Sequence, residues 1–202
     1  MTGTADEQIP LLLEKIESVA RAGVDWVQIR EKDLSGRAQS ELAREALRRL
    51  PASCRMMVND RLDVACTVGA AGVHLGESSV PLAEAKRFLR DRKVAEEFLV
   101  GASTHFAEGV LAAERDGADY VIFGPIFATP SKAQFGEPQG IERLAEVCRR
   151  TRLPVIAIGG ITVENAGECL AAGAAGIAAI RLFQGTSDLP ALVGGLRAAR
   201  IR

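Results

Sequence analysis

The chain has 202 residues, which is enough for one domain with a sizeable core and short for two. Apolar residues make up 48% of the chain and charged residues 25%, an ordinary composition for a soluble globular protein. The formal net charge is −1 with acids and bases interspersed, so the composition argues against nucleic-acid and anionic-membrane partners, which need a basic face.

Predicted strands and helices alternate along the chain. Seven short apolar runs are predicted strands: WVQIR (26–30), RMMVN (55–59), GVHL (72–75), FLVGAS (98–103), DYVIFG (119–124), PVIAIGG (154–160) and GIAAIRLF (176–183). Eight helix-like segments flank them, at 8–23, 37–50, 61–70, 81–90, 106–118, 141–150, 162–174 and 191–200. Strands that are apolar throughout predict a parallel sheet buried on both faces.

The fold class follows from this alternation. No GxGxxG follows a first strand, which disfavours a doubly wound dinucleotide-binding sheet. The near-regular βα period favours an α/β (β/α)8 TIM barrel, and we predict one such domain over residues 1–202. The first barrel strand is apparently missing, because the chain opens on a helix and MTGTADEQ is not strand-like. A second copy of the chain could cover that gap, so a homo-oligomer is an open alternative.

The cysteines and the amino-terminal segment bear on the compartment. Cys54, Cys66, Cys148 and Cys169 show no CxxC spacing and no histidine cluster, so neither zinc nor a disulfide framework is expected. The start MTGTADEQIP lacks a basic-then-apolar leader, and no apolar run reaches the roughly 18 residues of a membrane span. These features predict a reduced, cytoplasmic protein.

Polar side chains gather where the predicted strands end, which is where barrel enzymes build their sites. In chain order, these residues are Gln28, Arg30, Lys32, Asn59, Asp60, His74, Glu77, Ser78, Ser79, Ser103, His105, Thr129, Ser131, Lys132, Gly159, Gly160 and Arg181. Random placement would scatter them over both ends of the strands. The pattern therefore indicates one functional rim.

Several of these residues suit anions. In GPIFATPSK, Thr129, Ser131 and Lys132 follow a buried strand, and Arg30 and Lys32 alternate outward from another. The glycine pair in GGITVEN opens a predicted helix, whose free N–H groups and positive dipole end favour an anion. A tight turn for the glycines and solvated ends for the cations are the alternatives. Two anion sites predict a pocket for two phosphorylated small molecules.

The titratable residues suit either a structural or a chemical role. His105 suits a general acid or base, because histidine side chains ordinarily titrate near neutrality, and it equally suits a structural role. His74, in the apolar context GVHLG, is expected to pack and to make one backbone hydrogen bond. Asp60 either caps the helix that begins at Arg61 or holds Mg2+, a hard cation that takes oxygen ligands.

The motifs resemble the thiamine-phosphate synthase/TenI family. The resemblance rests on QIREK, VNDRLDVA, GAAGVHLGE, GADYVIFGPIFATPSK and PVIAIGGITVEN followed by AGAAGIA, in order over about residues 24–184. It implies a (β/α)8 barrel that joins hydroxymethylpyrimidine diphosphate to a thiazole phosphate with Mg2+. In this chemistry diphosphate leaves, and the thiazole nitrogen attacks the resulting pyrimidine carbocation.

The resemblance also implies a role for each matching residue. Gln28, Arg30, Lys32 and Asn59 would hold the pyrimidine diphosphate, and Asp60 would bind Mg2+. Ser103 and Lys132 would assist the departing diphosphate. The thiazole phosphate would lie against a further set, which comprises Thr129, Ser131, Gly159, Gly160, Ile180 and Arg181.

Departures from the family pattern keep two other functions open. Ser79 stands where the synthases supply a second acidic metal ligand, with Glu77 nearby, and Arg181 stands in place of a small serine. One alternative is the TenI-type thiazole tautomerase, an isomerase that needs no metal and uses a histidine at the position of His105. The other is a catalytically silent ligand-binding paralogue or truncated product. Retained Asn59, Asp60, Lys32 and Lys132 favour the synthase.

Overall fold

Helices and strands alternate along most of the described part of this computed structural model, which covers residues 5–129 and 137–199, and two helices follow the last strand. The strands are β1 (Trp26–Ile29), β2 (Arg55–Asn59), β3 (Gly72–Leu75), β4 (Leu99–Thr104), β5 (Tyr120–Phe123), β6 (Val155–Ile158) and β7 (Gly176–Ala178). The helices are α1 (Ala5–Arg21), α2 (Gly36–Arg49), α3 (Leu62–Val68), α4 (Leu82–Asp91), α5 (Ala107–Arg115), α6 (Gly140–Arg150), α7 (Val163–Ala171), α8 (Arg181–Gln184) and α9 (Leu189–Ala198). The strand order in the sheet is the order of the chain.

The chain groups into two compact units. The first takes in the chain up to Val73 together with Ala95–Phe98, and the second takes in His74–Val94 and the chain from Leu99 onward. In the first unit, β1 and β2 pair in parallel with Val27 opposite Met56. In the second unit, β4, β5, β6 and β7 pair successively in parallel.

Strand β5 shows how the second unit divides its side chains between two faces, as the period of two in a strand requires. Val121 and Phe123 are buried in an apolar cluster with residues of α5 and α6, such as Val110 and Leu144. The alternate residue Tyr120 takes the opposite face, lies in register with Gly101 of β4 and is 2% exposed. The second face is therefore the one that carries buried polar groups.

The predicted elements are largely confirmed. All seven predicted strands are present, and β2 and β3 have the predicted bounds. The prediction for GIAAIRLF is wrong beyond Ala178, because β7 ends there and Arg181–Gln184 form α8. Arg181 therefore begins a short helix and does not lie on a strand. None of the helices within residues 5–129 and 137–199 is long and apolar enough to span a membrane.

Candidate active site

A polar cleft of about 250 Å³ lies at the ends of β1 and β2. Its lining comprises Glu31, Lys32, Leu34, Gln39, Asn59, Asp60 and Arg61. Gln28, one residue before the end of β1, donates from Nε2 to Asn59 Oδ1 at 3.0 Å. The structure thus brings together three residues of the predicted pyrimidine-diphosphate set, namely Gln28, Asn59 and Lys32. Arg30 follows β1 directly and is exposed.

Asp60 adopts a left-handed backbone, with φ of 66°, directly after β2 ends. Asp is among the few non-glycine residues that take this conformation readily. The prediction that Asp60 caps α3 is wrong: the N-cap position is Arg61, and no side chain bonds to the cap there. The carboxylate instead lies exposed on the wall of the cleft.

The donor set of the cleft fits Mg2+ bound together with a phosphate. Within the described ranges, no group of three or more His, Cys, Asp or Glu side chains could hold a metal by itself. Mg2+ does not need such a group, because it is commonly held by one or two carboxylates with substrate phosphates and water. Asp60 and Glu31 supply two carboxylates on one cleft, with Lys32 beside them for an anion.

Arg61 also lines the cleft and is held by an ion pair. Its Nε donates to Asp63 Oδ1 at 2.8 Å, and its Nη2 donates to Asp63 Oδ2 at 2.5 Å. This pairing lowers the pKa of Asp63 and raises that of Arg61. The guanidinium packs over Gly36, where an added Cβ would lie 2.5 Å from Nη2. A side chain at Gly36 would therefore require the Arg61 guanidinium to move.

In the second unit, Ser103 of β4 is tied to a buried histidine. His74 is 1% exposed, and its Nε2 lies 2.8 Å from Ser103 Oγ. Its Nδ1 lies 3.2 Å from Tyr120 Oη. The expected backbone hydrogen bond of His74 is therefore replaced by two side-chain partners. Burial lowers the pKa of His74 to about 4 and raises that of Tyr120, so both are neutral near pH 7.

His105 lies just beyond β4 and is held by the backbone. Its Nδ1 is hydrogen-bonded to the carbonyl oxygen of Gly124, which makes Nδ1 the donor and leaves the proton off Nε2 in the neutral ring. Nε2 lies 3.8 Å from Oε1 of Glu77. The histidine is therefore oriented with its Nε2 toward an exposed carboxylate.

Ser79 has a local role in the loop after β3. Its Oγ accepts from the Gly76 N–H at 2.7 Å, and its own N–H donates to the Gly76 carbonyl at 3.1 Å. These two bonds close a tight turn. The Ser79 hydroxyl, at the position where the family pattern has an acidic metal ligand, thus stabilises the turn of this loop.

The glycine pair after β6 packs against the loop after β5. An added Cβ at Gly159 would lie 2.5 Å from Pro125 Cβ, and one at Gly160 would lie 2.7 Å from Phe127 Cβ. Both glycines have positive φ, 100° and 66°. The Phe127 N–H donates to the Gly159 carbonyl at 3.0 Å. Close packing and a left-handed backbone therefore already require glycine at both positions.

The start of α7 is already capped in part. Thr162 N–H donates to Asn165 Oδ1 at 2.8 Å, and Asn165 N–H donates to Thr162 Oγ1 at 3.4 Å, which forms a capping box. Fewer N–H groups are therefore free at the start of α7 than the sequence predicts, because the capping box already uses some of them.

Arg181 and Thr129 come together although 52 positions separate them in the chain, with the Arg181 guanidinium donating to Thr129 Oγ1. Ile180 precedes Arg181 at the N-cap of α8 and is 60% exposed. Ser131 and Lys132 lie outside the described residues. The structure thus joins one cation and one hydroxyl of the predicted thiazole-phosphate set.

Some residues of the site were not expected from the sequence. Glu31 and Gln39 line the cleft, and Tyr120 partners His74. Glu31 could have been found from its place between Arg30 and Lys32 in QIREK. Tyr120 carries no such signal, since DYVIFG reads as an ordinary buried strand.

A parallel βα fold with cations, amides and carboxylates at the carboxyl ends of its strands defines the class of the molecule as an enzyme of the TIM-barrel type. A solved structure, thiamine phosphate pyrophosphorylase from Pyrococcus furiosus, matches it with a TM-score of 0.83 and 31% identity, covering 96% of this chain and 92% of that one. The predicted fold class is thereby confirmed.

Sequence comparisons name the family. The chain matches the thiamine monophosphate synthase family over residues 2–183 and belongs to it. A Geobacter sulfurreducens protein is 47% identical over 84% of this chain and 78% of its own length. The thiamine-phosphate synthase of Chlorobium luteolum is 43% identical over 83% of this chain and 77% of its own. The predicted family is confirmed, and the chain is a transferase of thiamine biosynthesis.

Proposed function

We propose that the chain condenses hydroxymethylpyrimidine diphosphate with thiazole phosphate, giving thiamine phosphate and diphosphate. The observation that carries this proposal is the cleft after β1 and β2, which Lys32, Asn59 and Asp60 all line. A cation, an amide and a carboxylate together suit a heterocycle that bears a metal-bound diphosphate. The matches to thiamine-phosphate synthases over most of the chain support the same reaction.

In the reaction, the bond between the pyrimidine methylene carbon and the diphosphate oxygen breaks, and a bond from that carbon to the thiazole nitrogen forms. Gln28 and Asn59 would orient the pyrimidine through their mutually fixed amides, and Arg30 and Lys32 would bind the diphosphate. Asp60 would hold Mg2+, whose chemistry when bound is to neutralise charge on the diphosphate. Ser103 and Lys132 would donate hydrogen bonds to that leaving group as its charge develops.

The thiazole phosphate would bind to the set after β5, β6 and β7. Arg181 supplies a cation beside Thr129, and we assign Ser131, Gly159, Gly160 and Ile180 to the same ligand. Phosphates bind well where a guanidinium and hydroxyls converge. This assignment makes Arg181 the main charge partner of the thiazole phosphate among the described residues of that set.

His105 distinguishes the synthase from the tautomerase alternative. Attack by the thiazole nitrogen releases no proton, so the condensation gives His105 no general-base task. A tautomerase would depend on its Nε2, which the bond from Nδ1 to Gly124 leaves without a proton. His105→Ala should therefore leave most of the condensation activity in place.

The proposal is tested by an endpoint mass-spectrometry assay with both substrates, with Mg2+ in one reaction and EDTA in the other. We expect thiamine phosphate only with Mg2+. No product in either reaction, from protein with the circular dichroism of an α/β fold, would exclude the synthase. Thiazole isomerisation that is insensitive to EDTA and lost in His105→Ala would then identify the tautomerase.

A further inference from the structure

A chain of three side chains runs through the interior of the second unit and ends at a half-buried hydroxyl. Tyr120 Oη, His74 and Ser103 Oγ follow one another at 3.2 Å and 2.8 Å. Tyr120 and His74 are 2% and 1% exposed, whereas Ser103 is half-buried. Only the serine end of this chain therefore reaches the accessible side.

The direction of these hydrogen bonds decides what Ser103 can offer to a ligand. A neutral histidine has one donor and one acceptor nitrogen. If Tyr120 donates to Nδ1, then Nε2–H donates to Ser103 Oγ, and the serine proton is left for another acceptor. In the opposite tautomer, the Ser103 O–H donates to Nε2, so only the oxygen lone pairs of Ser103 face a ligand. A lone pair facing an anion is repulsive, whereas an O–H is attractive.

The protonation states are consistent with the first arrangement. Burial lowers the pKa of His74 to about 4 and raises that of Tyr120, so the imidazole is neutral and the phenol keeps its proton. A buried phenolic O–H requires an acceptor, and Nδ1 of His74 is one within reach. The ring of Tyr120 packs against Gly101, where an added Cβ would lie 2.0 Å from Cζ of Tyr120.

We propose that His74 and Tyr120 are positioning residues, which direct the Ser103 O–H toward the departing diphosphate by holding the Nε2–H tautomer of His74. Ser103 keeps its proton throughout and acts as a hydrogen-bond donor. This inference rests on the proposed function, because it assigns Ser103 to the diphosphate.

A double-mutant cycle between Tyr120 and Ser103 tests it. Tyr120→Phe removes the hydroxyl but keeps the ring that packs on Gly101. We expect Tyr120→Phe to lower kcat about threefold to tenfold, the effect of one misdirected hydrogen bond, with little change in either KM. In the Ser103→Ala background, the same Tyr120→Phe change should have no further effect on kcat.

Substitutions of His74 provide an independent readout. His74→Gln can still place an N–H near Ser103 and should keep much more of kcat than His74→Leu, which is of similar size and cannot donate. The control is Thr104→Val, the next residue on β4. Thr104 Oγ1 is buried without a hydrogen-bond partner in the structure as described, so this change should leave kcat unaltered.

The outcomes separate the inference from the function on which it rests. An inactive wild-type enzyme contradicts the proposed function. An active wild type in which Tyr120→Phe lowers kcat equally with and without Ser103 contradicts the positioning role, since the tyrosine would then act by packing alone. Unchanged kcat in Tyr120→Phe contradicts it as well.

Discussion

At the scale of single residues, Arg181 is where this chain departs most visibly from the serine of the family pattern. Its guanidinium reaches Thr129 Oγ1 from an exposed position at the start of α8. We expect Arg181→Ser to raise the KM for thiazole phosphate about tenfold, because one charge-assisted hydrogen bond is lost, and to leave kcat unchanged. Steady-state kinetics with each substrate varied in turn measures this effect.

Arg143→Ser is the matched control for Arg181, since it removes an exposed arginine that donates to the Gln139 side chain and belongs to neither predicted substrate set. The KM for the pyrimidine diphosphate should stay the same in both variants. A lower KM for thiazole phosphate in Arg181→Ser would show that the arginine crowds the phosphate instead of binding it.

His74 makes the stability of the folded chain depend on pH. Its pKa falls from 6.5 to about 4 on burial, so between these values the unfolded chain binds a proton that the folded chain does not. Stability is therefore lost as the pH falls through this window, by about 2 kcal/mol between pH 7 and pH 5 from this group alone. Denaturant unfolding at the two pH values measures the loss.

His74→Gln does not titrate in this range and should lose about 2 kcal/mol less than the wild type between pH 7 and pH 5. His105→Gln is the control, because it retains His74 and therefore the loss that His74 causes. Equal pH dependence in wild type and His74→Gln would mean that the folded protein accepts the proton on His74.

At the scale of elements, the packing between strands β4 and β5 depends on a glycine of β4 that lies beside a tyrosine of β5. Gly101 lies in register with Tyr120, and its missing side chain leaves room for the ring. Gly101→Ala would place Cβ 2.0 Å from Cζ, which forces the ring to move. We expect a loss of roughly 1–3 kcal/mol in the free energy of unfolding from this overpacking, together with a lower kcat.

Gly176→Ala is the control for Gly101→Ala, since Gly176 also lies in a strand, β7, and has no atom within 4 Å of an added Cβ. Thermal unfolding of the two variants gives the comparison. Equal stability of both variants would show that the Tyr120 ring relaxes without cost.

The elements also show which parts of the fold are readable from sequence. RMMVN and GVHL are apolar runs bounded by turn residues, and both strands have the predicted bounds. GIAAIRLF continues as apolar beyond Ala178, so its composition does not reveal where β7 gives way to α8. The contacts of Tyr120 with His74 and with Gly101 cannot be predicted from the sequence, because they depend on strand register, which local patterns do not contain.

At the scale of the whole molecule, the βα period of the sequence predicts the barrel class, and the barrel class in turn predicts that functional residues lie at the ends of the strands. Gln28 and Asn59 illustrate the success: they are 31 positions apart and hydrogen-bond because β1 and β2 are parallel neighbours. The local function of Ser79 and the failure of Asp60 to cap α3 could not be predicted, since both depend on turn conformations.

Ligand binding to the native state gives a measurement on the whole molecule that does not require turnover. A ligand that binds only the folded chain adds about 2.7 kcal/mol at one hundred times its Kd. For a chain of this size, each kcal/mol shifts Tm by about 2–4 °C. We therefore expect inorganic diphosphate with Mg2+, at one hundred times its Kd, to raise Tm by about 5–10 °C. The same concentration of diphosphate with EDTA should raise Tm less.

Asp60→Asn tests whether this carboxylate holds the metal, since the amide keeps the shape of the side chain and removes its charge. The Mg2+-dependent part of the Tm increase should disappear, while the part due to diphosphate alone should remain or increase, because the cations of the site lose a competing negative charge. Asp91→Asn, at the exposed end of α4, should retain the full Mg2+ effect. A Mg2+ increment in Asp60→Asn equal to that of the wild type would assign the metal to other oxygen ligands, of which Glu31 on the same cleft is the next to replace.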